Sequence, residues 1–398
     1  MKKLIALLTN NDDDIYCFRK ELIEALIAED YELLISCPYG EKFELMKDVD
    51  YIYDDPAIDR RGTDVIADSK LLLHYISLFS KYRPFAVLAY TAKPNVYGSM
   101  AAHLLGIPVI NNVTGFGSVL NESGLKVKLI MGLFKFAYRQ SECMMFQNST
   151  NMRLAVTSGM VTGKKKKAGN VLMSLKYGIF GGCKAMRNRD FILIPGSGVN
   201  TERFSYMPYP DGGNGINGEK IVFNYIGRIL HDKGVDDYIE AAKRIHAKYP
   251  NTEFNMLGFI EPTEMHYEKE LAELEKAGIV YYRGSQKDVR PYIERAHALI
   301  HPSTYGEGMS NVLLENASSG RPLITTDNPG CKETVLDGVT GYIYRGGSVE
   351  ELVGKIERFL NMSQEKRVLM GKRGRQRMIR NFSRKKVITA YLSKLEEL

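Results

Sequence analysis

The chain has 398 residues, 44% apolar and 25% charged, an ordinary globular balance that supports a buried core in each of two domains at roughly 100–200 residues apiece. Five scattered cysteines, an odd count with no pair at metal-ligand spacing, argue against a disulfide framework and for a reducing, cytoplasmic setting, and the seven dispersed histidines offer no metal site by spacing. The net charge of +7 points to an anionic partner, while the absence of any 18-residue apolar run excludes a membrane span.

From the amino end, MKKLIALL is too short for a secretory apolar region and reads as a first buried strand, Leu4–Leu8. Ile15, Phe18, Leu22, Ala25 and Leu26 then recur at helical spacing, with Asp14 as the expected N-cap. Further strands are expected at Glu32–Ser36, Ala86–Ala89, Val109–Asn112 and Met144–Gln147. Strand alternating with helix implies a parallel sheet covered by helices. Leu125–Arg139 reads as a basic amphipathic helix. Val127, Ile130, Met131, Phe134 and Tyr138 lie on one face, and Lys128, Lys135 and Arg139 on another. Such a helix suits an anionic membrane surface as well as it suits a core. Residues 158–190 form a basic excursion, with Lys164 to Lys167, Lys176, Lys184, Arg187 and Arg189 and no acidic residue before Asp190. The first domain is expected over 1–205 and a Pro/Gly/Asp-rich linker over 206–220.

The second half repeats the plan, with strands at Ile221–Ile226, Glu253–Leu257, Val280–Tyr282, Ala298–His301 and Pro322–Thr325. A second domain is expected over 221–382. A helix over 383–398 is expected to pack back on the first domain. Two doubly wound α/β domains of this kind would face one another across a cleft at the carboxyl ends of their strands, where ligands bind.

Two stretches of the second half carry chemistry. In the first, Ile226 ends a strand, Gly227 turns, and Arg228 and Lys233 follow before a helix starts near Val235. Two cations beside a helix N-terminus suit a diphosphate. In the second, His301 to Glu315 runs strand, Gly-flanked loop, helix. Gly306 and Gly308 allow close backbone approach, and N–H groups near Met309, Ser310 and Asn311 are expected to be free for phosphate or sugar hydroxyls. Glu307 precedes the helix and Glu315 lies eight positions on, so the two carboxylates stand at different depths.

The Gly227-Arg228…Lys233-Gly234 loop followed by Glu307-x7-Glu315 resembles the retaining glycosyltransferases of family 4, which have the GT-B fold. YGEGMSNVLLE and SSGRPLITTDNPGCKE are similar to the branch acting on capsule, O-antigen and lipid-linked oligosaccharides. YTAKPNVYG, IPVINNVTGFGS and IPGSGVNTERF extend the likeness through the first half. The resemblance implies transfer of a hexose or N-acetylhexosamine from a nucleotide-diphospho-sugar, with UDP as the carrier, to an oligosaccharide or polyprenyl-diphosphate-linked acceptor. It also implies no metal or other cofactor. Glu307, Arg228 and Lys233 would be catalytic. Gly227, Gly284, Ser285, Gly308, Met309, Ser310, Asn311 and Glu315 would bind the donor. Arg19, Lys93, Asn95, Thr114, Gly115 and Gly117 would line the acceptor side.

The chain departs from the family at three places. Thr9–Asp14, after the first strand, has no glycine and three aspartates. Thr114 follows Val113 where some relatives have a histidine. The 158–190 excursion has no clear counterpart. A nucleotide-sugar epimerase of the same fold is the alternative. Nucleic acid is not an expected partner, since no RNA-recognition or zinc-finger spacing occurs. Peripheral attachment to the inner face of the cytoplasmic membrane, through 125–139 and 164–189, follows from the acceptor class and the charge.

Overall fold

The first strand, β1 (Leu4–Leu8), is an unbroken apolar run that the structure buries on both faces. The coordinates are a computed structural model describing residues 2–59, 62, 64–115, 125–160, 190–210, 220–306 and 308–398. Helix α1 (Asp12–Ala28) follows. Its N-cap is Asn11, not Asp14: the Asn11 side chain accepts from the Asp14 N–H at 3.0 Å. The three aspartates instead fill the first turn, where carboxylates complement the helix dipole.

Strands β2 (Glu32–Ser36), β3 (Ile52–Asp54), β4 (Ala86–Tyr90), β5 (Val109–Val113), β6 (Cys143–Phe146) and β7 (Asp190–Leu193) complete a parallel sheet in the order β3-β2-β1-β4-β5-β6-β7. The helices between them are α2 (Val65–Tyr82), α3 (Ser99–Leu104), α4 (Leu125–Arg139) and α5 (Ser149–Thr157). Phe134, Ala137 and Tyr138 of α4 are buried beside Val96, Val113, Met144 and Phe146, with Met131 packed against them. The described part of the apolar face expected for a membrane therefore belongs to the core.

A second sheet comprises β8 (Ile221–Ile226), β9 (Thr252–Leu257), β10 (Val280–Tyr282), β11 (Ala298–His301), β12 (Leu323–Thr326) and β13 (Gly341–Tyr344). They are also parallel, in the order β10-β9-β8-β11-β12-β13. Its helices are α6 (Val235–Lys248), α7 (His266–Lys276), α8 (Arg290–Arg295), α9 (Asn311–Ser318), α10 (Val349–Leu360) and α11 (Gln364–Arg377). Three strands were not expected from the sequence: β3, β7 and β13. Each is an edge strand of three or four residues, and β3 is largely exposed, so none shows a long buried run.

The chain divides into 1–198 with 384–398, and 199–383. The junction thus falls after Gly198, not in 206–220. Residues just before the expected linker and at its start are fastened to the second unit by cations that cannot be buried without acceptors. Buried Arg321 donates to the carbonyls of Met207 and Pro208 at 3.1 and 2.8 Å, and Arg375 to that of Phe204 at 3.1 Å. Linker residues 211–219 and excursion residues 161–189 lie outside the described residues. The last helix, α12 (Arg384–Glu396), belongs to the first unit. Val387, Tyr391 and Leu395 join a core with Ile5, Leu7, Ile15 and Leu22, and Arg384 pairs with Glu21 at 2.5 Å.

Candidate active site

In a sheet ordered β9-β8-β11, the connections leaving β8 and β11 turn to opposite faces, which opens a crevice at their carboxyl ends. Both stretches singled out in the second half sit there. After β8 come Gly227 and Arg228, then a short 3-10 turn at His231–Lys233, then Gly234 and α6. Gly234 has φ 73°, and a Cβ on it would stand 2.2 Å from the Pro302 carbonyl oxygen. Glycine alone lets the start of α6 approach the end of β11 this closely. The two loops are also hydrogen-bonded: the N–H and Oγ1 of Thr304 both donate to the Asp232 carbonyl, at 3.0 and 3.1 Å. Lys233 Nζ lies 5.2 Å from the ring centre of Tyr305, a residue of the second loop.

Arg228 is held from a third loop. After β9, Gly258 (φ 142°) passes so close to Gly227 that a Cβ would sit 1.8 Å from the Gly227 oxygen. The two chains then continue as parallel rungs: Ile229 N–H donates to Phe259 O at 2.9 Å, and Glu261 N–H to Ile229 O at 3.1 Å. This register delivers the Glu261 carboxylate to Arg228 Nη1 at 2.5 Å. Sequence reasoning missed Glu261. Its one signal is Gly258-Phe259-Ile260-Glu261 after β9, set against Gly227-Arg228-Ile229 after β8.

Helix α9 begins at the same edge. Its N-cap, Ser310, makes no side-chain capping bond. The expectation of free N–H groups from Met309 to Asn311 needs one correction: Ser310 N–H donates to the Gly330 carbonyl at 3.0 Å. That contact is braced by Glu333, which accepts from Gly330 N–H at 2.8 Å and whose own pKa burial raises above the usual carboxylate value. Met309 puts its side chain into the core. Asn311 is half-buried, and its Oδ1 is enclosed with no hydrogen-bond partner among the described residues. Glu315 is half-buried one turn further along α9. Gly284, after β10, accepts from Gly258 N–H at 2.9 Å, with exposed Ser285 next to it. The structure thus gathers Gly227, Arg228, Lys233, Gly284, Ser285, Gly308, Met309, Ser310, Asn311 and Glu315 on one unit, on its strand ends and α9. Glu307 lies outside the described residues.

The first unit has the same switch point, between β1 and β4, yet its predicted acceptor residues are largely consumed internally. Arg19 does not line a surface: it is 3% exposed, stacks 4.2 Å from the Tyr90 ring centre and donates to Ser197 Oγ at 2.8 Å. Lys93 is paired with Asp68 at 2.5 Å, and Tyr97 donates to the same carboxylate. Asn95 is buried and donates to the Asn112 carbonyl at 2.9 Å. Thr114 and Gly115 stand half-buried at the end of β5, and Gly117 lies outside the described residues. One further feature at this edge was not read from the sequence: Thr91, after β4, has φ 64°, a strained conformation for a β-branched residue.

Comparison with known proteins agrees with both halves. The family described as "Glycosyl transferases group 1" matches residues 211–377, and "Glycosyl transferase 4-like" matches 4–148. The capsular polysaccharide biosynthesis glycosyltransferase CapM of Staphylococcus aureus is 26% identical over 328 residues, covering 81% of this chain and 80% of that protein. The N,N'-diacetylbacillosaminyl-diphospho-undecaprenol alpha-1,3-N-acetylgalactosaminyltransferase of Campylobacter jejuni is 22% identical over 363 residues, covering 89% of each. The crystal structure of Anabaena HepE in complex with UDP superposes with a TM-score of 0.73 at 16% identity over the whole of both chains, a likeness of fold. The fold is GT-B.

Proposed function

Because the chain belongs to the group 1 glycosyl transferases, with a glycosyl transferase 4-like first domain, we propose that it moves a hexose or N-acetylhexosamine from a UDP-sugar to a polyprenyl-diphosphate-linked saccharide, with retention of configuration. The process is assembly of a bacterial surface polysaccharide. The observation that carries this reading is the join at the β8–β11 switch point. Thr304 bonded to Asp232, and Gly234 against Pro302, set Arg228, Lys233 and the uncapped start of α9 on one edge. The named relatives support the substrate classes: a capsule enzyme, an enzyme named for an undecaprenol-linked acceptor, and a protein with bound UDP. The same relatives weigh against an epimerase.

The reaction breaks the bond between the anomeric carbon and the diphosphate oxygen, and the electron pair leaves with UDP. Arg228 and Lys233 stabilise that growing charge, fixed in place before the reaction starts, without a metal. The acceptor hydroxyl attacks from the face the diphosphate vacates, and a departing phosphate oxygen takes its proton. Glu307 holds the donor sugar and Glu315 the ribose.

The test is a panel of UDP-, GDP- and ADP-sugars, with and without a polyprenyl-diphosphate-linked sugar, scored by nucleoside diphosphate release and by the anomeric configuration of the product. Release with none of the donors sinks the reading, and an inverted product sinks the retaining mechanism. Among the described residues no helix is long and apolar enough to cross a membrane. In this reading the basic run of 164–189 brings the chain to a lipid-linked acceptor. Replacing Lys164–Lys167 with serine is expected to weaken co-sedimentation with anionic vesicles; unchanged binding removes that run from the account.

A further inference from the structure

We propose that Glu261 is a positioning residue for the donor end of the reaction. It fixes one arm of the Arg228 guanidinium, so that the remaining donors of the fork meet the donor diphosphate without a search among rotamers. The proposal rests on the reading of Arg228 as a diphosphate ligand. Three observations carry it. Glu261 is 6% exposed, and a carboxylate is rarely taken out of water without a charged partner; Arg228 supplies one at 2.5 Å. The carboxylate is carried on rigid backbone: its N–H bonds Ile229 O, and its carbonyl accepts from Glu264 N–H at 2.8 Å. The loop bearing Arg228 is registered against the loop bearing Glu261 by the Gly227–Gly258 approach, which no larger residue allows.

The Arg228 side chain is still one-third exposed at the crevice edge, so one end is anchored while the other can reach a ligand. Arginine has five N–H donors in a planar fork and keeps its charge throughout, so a contact to Glu261 leaves donors for phosphate oxygens. Its long stem otherwise samples many rotamers, and anchoring one arm removes that freedom before the donor arrives. The competing arrangement is a carboxylate that blocks Arg228 until the diphosphate displaces it. The two make opposite predictions.

The experiment uses the full chain with Glu261→Gln, Glu261→Ala, Glu261→Asp, Arg228→Ala and the double variant Arg228→Ala/Glu261→Ala. UDP affinity is read by calorimetry, turnover by UDP release, and folding by thermal melting. Glu261→Gln is expected to lower kcat/KM by about tenfold, chiefly through kcat, with Glu261→Asp recovering part of it, as for a group aligned only for the transition state. In the double variant, loss of Glu261 is expected to add less than about twofold to the Arg228→Ala defect, because a residue acting through another has nothing left to act on. A Glu261 effect that multiplies fully with that of Arg228 overturns the proposal. So does tighter UDP binding in Glu261→Gln, or unchanged turnover in a folded variant. Normal UDP affinity and turnover in Arg228→Ala instead overturns the diphosphate assignment itself, whatever Glu261 does.

Discussion

After β1 the chain passes through Thr9–Asp14, where Thr9 donates to Asp14 at 2.9 Å, and Lys42 closes on Asp12 and Asp13 from the next connection. After β8 it passes through Gly227–Gly234, where two cations stand at the edge and the backbone of one loop grips the next. The sheets share a plan and the switch point falls at the same place in each. The loops differ in where their polar groups are used. The first unit buries Arg19 and Asn95 and holds Lys93, only 13% exposed, against Asp68; the second pairs Arg228 with Glu261 yet keeps it one-third exposed at the strand ends, with Lys233 beside Tyr305. Sheet order locates a site, and loop residues decide whether anything there can bind.

The contrast breaks most readily at those cations. Arg228→Ala and Lys233→Ala are each expected to cost about 10²–10³ in turnover, the loss that follows removal of a transition-state charge contact. UDP release assays check this, and an equal loss in Lys93→Ala would erase the difference between the units.

A second test uses acid. Burial first, and the charges of Arg367 and Arg321 next, lower the His297 pKa from 6.5 to about 4. Its folded value is the lower one, so the unfolded chain takes up the proton first. Stability from this group is full above pH 6.5 and is lost as pH falls to 4, a change of about 3 kcal/mol. Melting temperature between pH 7 and 4.5 should fall in the native chain and fall less in His297→Gln.

Arg19 sharpens the comparison from the other side. Arg19→Ala removes a ring stack and a buried hydrogen bond, and should destabilise the first unit by about 2 kcal/mol while leaving UDP affinity unchanged. Lost acceptor turnover at unchanged melting temperature would instead return Arg19 to the acceptor site. The smallest effect belongs to His74. Its bond to Asp54, at 2.9 Å, raises its pKa, so its contribution is full below about pH 6.5 and fades as pH rises through the folded value. This partly exposed pair is worth less than about 1 kcal/mol, opposite in sign of pH response to His297. Melting curves of His74→Gln at pH 5.5 and 8.5 check it.

The sequence shows most of the frame and half of the site. Buried strands such as Leu4–Leu8 and Ile221–Ile226 are legible because a parallel strand covered on both faces is apolar throughout. The loops after β8 and β11 are legible because Gly227, Gly234, Gly306 and Gly308 punctuate strand and helix. Edge strands β3, β7 and β13 are not, since pairing on one side demands little of a short segment. Glu261 escapes because its role depends on a partner 33 positions away, a proximity created only when β8 and β9 pair. Arg19 misleads for a different reason: the family resemblance implies an acceptor contact, and only the fold shows the side chain packed against Tyr90.

The chain leaves the first unit after Gly198 and rejoins it at Arg384. The two crossing points are tied: Val199 N–H donates to Phe382 O at 2.8 Å, and Arg384 reaches back to Gly198 O. In chain order, the first unit therefore gains its last core side chains only after the whole of 199–383 has been made. Those late arrivals are Val387, Tyr391 and Leu395.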